Sequence, residues 1–116
     1  MPTAIYTAAT RGMIDREVIA ALKPSCIFVN IARGQLVDEA ALIEALKANR
    51  IYGAGLDVAV VEPPDPASPL WTLPNVFVTP HTAGETRAYE DNVLDILMEN
   101  LDRLWRGEKT LRNQVL

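Results

Sequence analysis

A single cysteine, Cys26, among 116 residues leaves no internal disulfide to staple the fold and fits a reducing cytoplasm. It sits in the apolar run Cys26-Ile27-Phe28-Val29 and reads as a small core residue, not a nucleophile. No apolar run approaches the length of a bilayer span, so no membrane partner is expected. Met1-Pro2-Thr3-Ala4-Ile5 lacks the charged start and long apolar core of a signal peptide. Positive charge is in deficit, with 11 Lys and Arg against 15 Asp and Glu and a net charge of −4. That balance gives nucleic acid and anionic lipid no electrostatic reason to bind. Histidine occurs once, as His81. One imidazole and scattered carboxylates lack metal-ligand spacing. No serine stands on a strand-to-helix elbow, so a serine-type triad is not supported either.

What is present is material for a core. Hydrophobic residues make up 49% of the chain, which suits one folded domain and argues against disorder. Ala4–Thr7 reads as a short strand. Met13–Lys23 reads as a helix with Asp15 as N-cap, an Ile14–Ile19 staple, a buried stripe of Val18, Ile19 and Leu22, and Pro24 as its stop. Cys26–Asn30 has the composition of a strand buried on both faces. Leu36–Ala48 repeats the helix design, with Asp38 as N-cap, Val37 and Leu42 as staple, and Leu42, Ile43 and Leu46 facing inward. Ile51–Val58 is another short apolar run, in which Gly53 and Gly55 permit close approach. Pro63, Pro64, Pro66, Pro69 and Pro74 forbid a regular helix or interior strand from Val61 to Pro74. That stretch is a loop anchored by Leu70, Trp71 and Leu73. Val76–Val78 is a third strand in the apolar series, and Thr86–Arg106 a long helix stopped by Gly107. Its apolar face is Val93, Leu94, Leu97, Leu101, Leu104 and Trp105. Alternating strands and helices imply parallel strands.

Parallel strands put their carboxyl ends on one edge, where open α/β sheets bind ligands. Arg33, Asp57 and His81 each lie at or just past such an end, and Glu62 lies in the loop leaving Asp57. Singly, each has a plain structural reading: a solvated turn residue, a cap, a loop surface, a satisfied histidine. Together on one edge they read as a site. Arginine offers a planar fork that matches a carboxylate. Histidine gives or takes a proton near neutral pH, and a carboxylate beside it fixes its tautomer. The set suits an anionic substrate whose oxygen gains or loses a proton.

Thr10-Arg11-Gly12-Met13-Ile14, Val29-Asn30-Ile31-Ala32-Arg33-Gly34, Leu36-Val37-Asp38-Glu39 with Ala41-Leu42, Gly53-Ala54-Gly55-Leu56-Asp57-Val58 with Glu62-Pro63, Leu73-Pro74-Asn75-Val76, and Thr79-Pro80-His81-Thr82-Ala83-Gly84 together resemble the D-isomer-specific 2-hydroxyacid dehydrogenases. The resemblance implies an α/β fold: the C-terminal half of a Rossmann-like parallel sheet with flanking helices and a long C-terminal helix. Residues 1–116 would be a partial NAD-binding domain, ending in the helix that returns toward a substrate domain, about residues 86–106. It also implies an oxidoreductase passing a hydride between NAD or NADP, with NAD favoured, and a small 2-oxo or 2-hydroxy acid in the cytoplasm. By the same likeness Arg33 binds the substrate carboxylate, His81 is the acid–base and Glu62 its partner. Thr10, Ile31, Ala32, Arg33, Asp57 and Gly84 are the implied cofactor contacts.

One family feature is missing. The six glycines, Gly12, Gly34, Gly53, Gly55, Gly84 and Gly107, never form G-x-G-x-x-G, the turn that holds a cofactor's pyrophosphate at a helix N-terminus. The chain therefore reads as a truncated piece, and weak or no activity is expected of it alone. The competing expectation is a catalytically silent binding module, in which an open strand edge and an uncovered helix flank favour a homodimer.

Overall fold

The computed structural model describes residues 4–114. They form two compact units, one running to Ala83 and one starting at Gly84. The first unit holds α1 (Arg16–Ala20), β1 (Ile27–Asn30), α2 (Glu39–Lys47), β2 (Gly53–Leu56) and β3 (Val76–Val78). The three strands are parallel and in the order β1-β2-β3. Phe28, Ala54 and Val76 align across the sheet, as do Asn30, Leu56 and Val78. Every strand therefore ends at the same edge, as the alternation of elements predicts.

Both expected N-caps form. Asp15 accepts from the Val18 amide at 2.9 Å, and Asp38 from the Ala41 amide at 2.9 Å. Each satisfies a donor that the first helical turn leaves free. The apolar face of α2 then buries Ala41, Leu42, Ala45 and Leu46 beside Ile19, Phe28, Leu36, Ile51, Leu56 and Leu70. Fully burying each large aliphatic side chain contributes about 1.5–3 kcal/mol, so this cluster holds the sheet edge in place. Cys26 packs against the cluster as a free thiol, the core role its setting predicts.

Four local expectations need correction. Ala4–Thr7 is not a strand. The Thr7 amide donates to Thr10 Oγ1 at 2.8 Å, and that hydroxyl donates to the Ile5 carbonyl at 2.7 Å. These local bonds compete with sheet pairing, and the nearest strand-like pairing is an isolated bridge between Ile14 and Val37. α1 is five residues long, shorter than the segment before Pro24, and Val18 is exposed while Ile19 is buried. β1 is not buried on both faces, because Ile27 is 61% exposed. In the Pro-rich loop Leu70 is buried and Leu73 half-buried, whereas Trp71 is half-exposed and tethered by its indole N–H to the Asp65 carbonyl at 3.0 Å.

The second unit is built on α3 (Tyr89–Trp105). It starts three residues later than the sequence suggests, after a turn in which the Tyr89 amide donates to the Thr86 carbonyl at 3.1 Å. Gly107, at φ 76°, ends it in the left-handed conformation that favours glycine. None of its residues is buried.

Candidate functional site

Asn30, the last residue of β1, is 1% exposed. Its Nδ2 donates to the Arg33 carbonyl at 3.0 Å and its Oδ1 accepts from the Ala32 amide at 3.1 Å. A buried polar side chain needs such partners, and here they shape the Ile31-Ala32-Arg33 turn. Arg33 leaves this turn exposed, with Nη1 on the Ala32 carbonyl at 2.6 Å. Gly34 lies so close to the next loop that a Cβ on it would stand 2.0 Å from the Ala59 carbonyl carbon. No other residue fits that approach without moving backbone.

Asp57 follows β2 and is 5% exposed. Its Oδ1 accepts from the Thr79 hydroxyl and from the Thr82 amide at 2.9 Å, and its Oδ2 from the Ala83 amide at 2.8 Å. Burial pushes the Asp57 carboxyl up, but the Thr79, Ala83 and Thr82 donors and the nearby His81 outweigh it, so the group lies below its ordinary value. The bonds gather residues 79–83 into a turn that carries His81 at φ 58°. A residue with a Cβ adopts that conformation seldom and under constraint.

Glu62 reaches this turn from the loop leaving Asp57. Its Oε2 lies 2.7 Å from His81 Nδ1, and its Oε1 accepts from the Ala59 amide at 3.1 Å. Burial raises the Glu62 carboxyl, yet the His81 and Ala59 hydrogen bonds and the charges of His81 and Arg33 bring it below its ordinary value. The two side chains keep 45% and 38% of their exposure. A pair so solvated contributes little to stability, about 0–1 kcal/mol. What it determines is chemical: with Nδ1 facing a carboxylate, a neutral ring has its proton held there and Nε2 left as the acceptor.

Asp57, Glu62 and His81 line one cavity of about 290 Å³, walled by apolar side chains that include Leu56, Val58, Leu70 and Trp71. Three of the four expected edge groups therefore meet at one cavity. Arg33 is not in its wall but is close enough for its charge to act on Glu62. Ile31 and Ala32 lie in the Asn30 turn, Thr10 spends its hydroxyl on its own turn, and Gly84 opens the second unit. Reading for charge at strand ends missed Asn30, Gln35, Glu39 and Thr79, which act on backbone or on Asp57. The one available signal was a polar Asn30 interrupting an apolar strand. Among the described residues no cluster of His, Cys, Asp and Glu could hold a metal ion, and no helix is long and apolar enough to cross a membrane.

Residues 2–83 match the family model described as the D-isomer specific 2-hydroxyacid dehydrogenase NAD binding domain. Over 102 residues the chain is 45% identical to glyoxylate/hydroxypyruvate reductase B of Pectobacterium carotovorum, a match covering 88% of this chain and 32% of that protein. Among solved structures, it resembles a D-isomer specific 2-hydroxyacid dehydrogenase from Xanthobacter autotrophicus Py2 in complex with NADPH and MES. That match has 42% identity and a TM-score of 0.86 over 98% of this chain and 46% of the other. It also resembles D-lactate dehydrogenase with NAD+ from Lactobacillus jensenii, at 34% identity and a TM-score of 0.82 over 96% of this chain and 38% of the other. The chain thus spans about a fifth to a third of the length of the curated relatives it matches.

Proposed function

Because the chain belongs to the D-isomer specific 2-hydroxyacid dehydrogenases, we propose that it carries the acid–base side of an NAD- or NADP-dependent site acting on a small 2-oxo or 2-hydroxy acid. The relatives named for glyoxylate, hydroxypyruvate and D-lactate share that substrate chemistry. The observation that carries the reading is the 2.7 Å contact between Glu62 Oε2 and His81 Nδ1 at the wall of a cavity that Asp57 also lines.

The residues suit a nicotinamide. Its ring is flat and apolar, and the cavity wall is largely apolar. An ionised carboxylate has about four acceptor positions; Asp57 uses three on Thr79, Thr82 and Ala83, which leaves one for a carboxamide N–H. Grip on the pyrophosphate is a different matter, since the chain has no G-x-G-x-x-G. A bound nicotinamide supplies the hydride in reduction and accepts it in oxidation.

In reduction, His81 gives a proton from Nε2 to the substrate oxygen on C2 as that oxygen gains charge. In oxidation, neutral Nε2 takes it back. Glu62 holds the ring in the tautomer and orientation this needs. Arg33, exposed at the end of β1, offers its guanidinium to the substrate carboxylate. The second unit, with α3, is read as the helix returning toward a substrate domain.

The test is oxidation of NADH or NADPH with glyoxylate or hydroxypyruvate by the full gene product, against a His81→Gln variant. Loss of a positioned acid–base lowers kcat by about 10²–10⁴-fold. Equal rates for the two proteins would rule out this assignment.

A further inference from the structure

We propose that Gln35 and Glu39 are positioning residues for the Glu62–His81 pair, acting through the backbone of Val60. The Val60 amide donates to Glu39 Oε2 at 2.9 Å, and the Val60 carbonyl accepts from Gln35 Nε2 at 3.0 Å. Val60 is exposed as a residue, but its amide nitrogen lies against Gly34, where an added Cβ would stand 2.4 Å from it. Two side chains that follow the Arg33 turn hold its amide and carbonyl. Gln35 stands in the 3-10 turn over Gly34–Leu36, and Glu39 is the first residue of α2.

The clamp matters because the segment after Val60 has few ties of its own. Pro63, Pro64 and Pro66 have no amide hydrogen with which to hold it down. The turn closes on itself instead, with Glu62 Oε1 on the Ala59 amide at 3.1 Å. Holding Val60 at both polar groups fixes the residue between Ala59 and Val61, and with it the direction in which Glu62 presents Oε2 to His81 Nδ1. Gly34 adds a third contact, pressed on the Ala59 carbonyl where no Cβ would fit. The loop that carries Arg33 and the loop that carries Glu62 thus share one clamp. Substrate-binding arginine and acid–base pair are held in register by α2 and the turn before it, neither of which reaches the cavity wall. This inference rests on the acid–base reading of Glu62 and His81.

The test uses the full 116-residue chain, in which His81 is the only histidine, and reads its ring by long-range proton–nitrogen NMR at a pH where it is neutral. The charged or acceptor groups facing the ring are Glu62 and, through the turn, Asp57. In the unsubstituted chain the Nδ1-protonated tautomer predominates, and Glu62→Ala shifts the ring toward the Nε2-protonated form that free histidine prefers. Gln35→Ala with Glu39→Ala lowers the Nδ1-protonated fraction at least twofold. Glu39→Gln, which removes the charge but keeps an acceptor, retains the starting fraction. An unchanged fraction in the folded double variant overturns the proposal. If the double variant fails to fold, Gln35→Ala alone decides, since its side chain is only half-buried; no change there overturns the proposal equally. An unchanged ring in Glu62→Ala would instead refute the pairing on which both readings stand.

Discussion

Two residues carry most of the organisation of the site, and neither is a reactant in the proposed proton transfer. Asp57 is a buried carboxylate that binds a hydroxyl and two amides of one turn, and that turn imposes the left-handed backbone on His81. Asn30 does for the Arg33 turn what Asp57 does for the histidine turn. Asp57→Asn substitutes an NH2 for one oxygen and so confronts an amide donor with another donor. Hydrogen bonds to charged groups contribute about 1.5–3 kcal/mol each, and a loss of about 2–3 kcal/mol in urea unfolding at neutral pH is expected. The sign of the pH effect follows from the lowered Asp57 carboxyl. A group whose folded value is depressed stabilises fully above its unfolded value, about 3.9 for Asp, and the contribution disappears as pH falls through the lower folded value. Glu62 adds a term of the same sign. Stability should fall on acidification through that range, and fall less steeply in Asp57→Asn; identical slopes would contradict the role given to Asp57. That Asp57, Glu62 and His81 come together at one cavity was legible because charge at strand ends is visible in a sequence. Asn30, Gln35, Glu39 and Thr79 were not, because three of them act on backbone amides and carbonyls whose positions only the fold determines.

The elements meet through loops packed backbone to backbone, and glycine marks the contacts. A Cβ on Gly34 would stand 2.0 Å from both the carbonyl carbon and oxygen of Ala59, and one on Gly53 would stand 2.7 Å from the Asn75 carbonyl oxygen. Gly55 differs, with Val29 Cγ2 at 3.9 Å as the nearest atom. Gly34→Ala should therefore force the Arg33 and Glu62 loops apart, with a loss of about 1–3 kcal/mol or more. Gly55→Ala should stay within about 0.5 kcal/mol or stabilise, since it adds ordinary contact and removes backbone freedom from a strand. Thermal unfolding of the two variants compares them directly, and equal losses would show that the Gly34 approach does not hold the loops. Element types were legible from the sequence: N-caps at Asp15 and Asp38, apolar periodicity in α2, and proline density before β3. Element ends were not. The threonines at positions 7 and 10 satisfied their own backbone instead of forming a strand, and α3 began only after the Thr86 turn.

On the scale of the whole molecule, a parallel sheet is ordinarily covered on both faces, whereas this one exposes large apolar residues on one of them. In the strand register Ile27 pairs with Gly53, and Val29, Gly55 and Phe77 align across the sheet, so these residues share one face. Ile27 is 61% and Phe77 70% exposed, and the two glycines between them add no side chain. The opposite face carries Phe28, Leu56 and the core. That asymmetry is why Cys26–Asn30 reads as doubly buried but is not: its composition suits a two-sided environment, while one face of the sheet is exposed at Ile27 and Phe77. A dye that fluoresces on apolar surface should bind the 116-residue chain, and Ile27→Lys with Phe77→Lys should lower that signal more than twofold. Both positions are exposed, so the unfolding midpoint should shift by no more than about 0.5 kcal/mol of stability. A competing source of signal exists in α3, where Leu94, Leu97, Leu101 and Trp105 are exposed. Leu97→Lys with Leu101→Lys is therefore the matched control. If the α3 pair removes the dye signal and the sheet pair leaves it intact, the open sheet face is not the apolar surface that the dye finds.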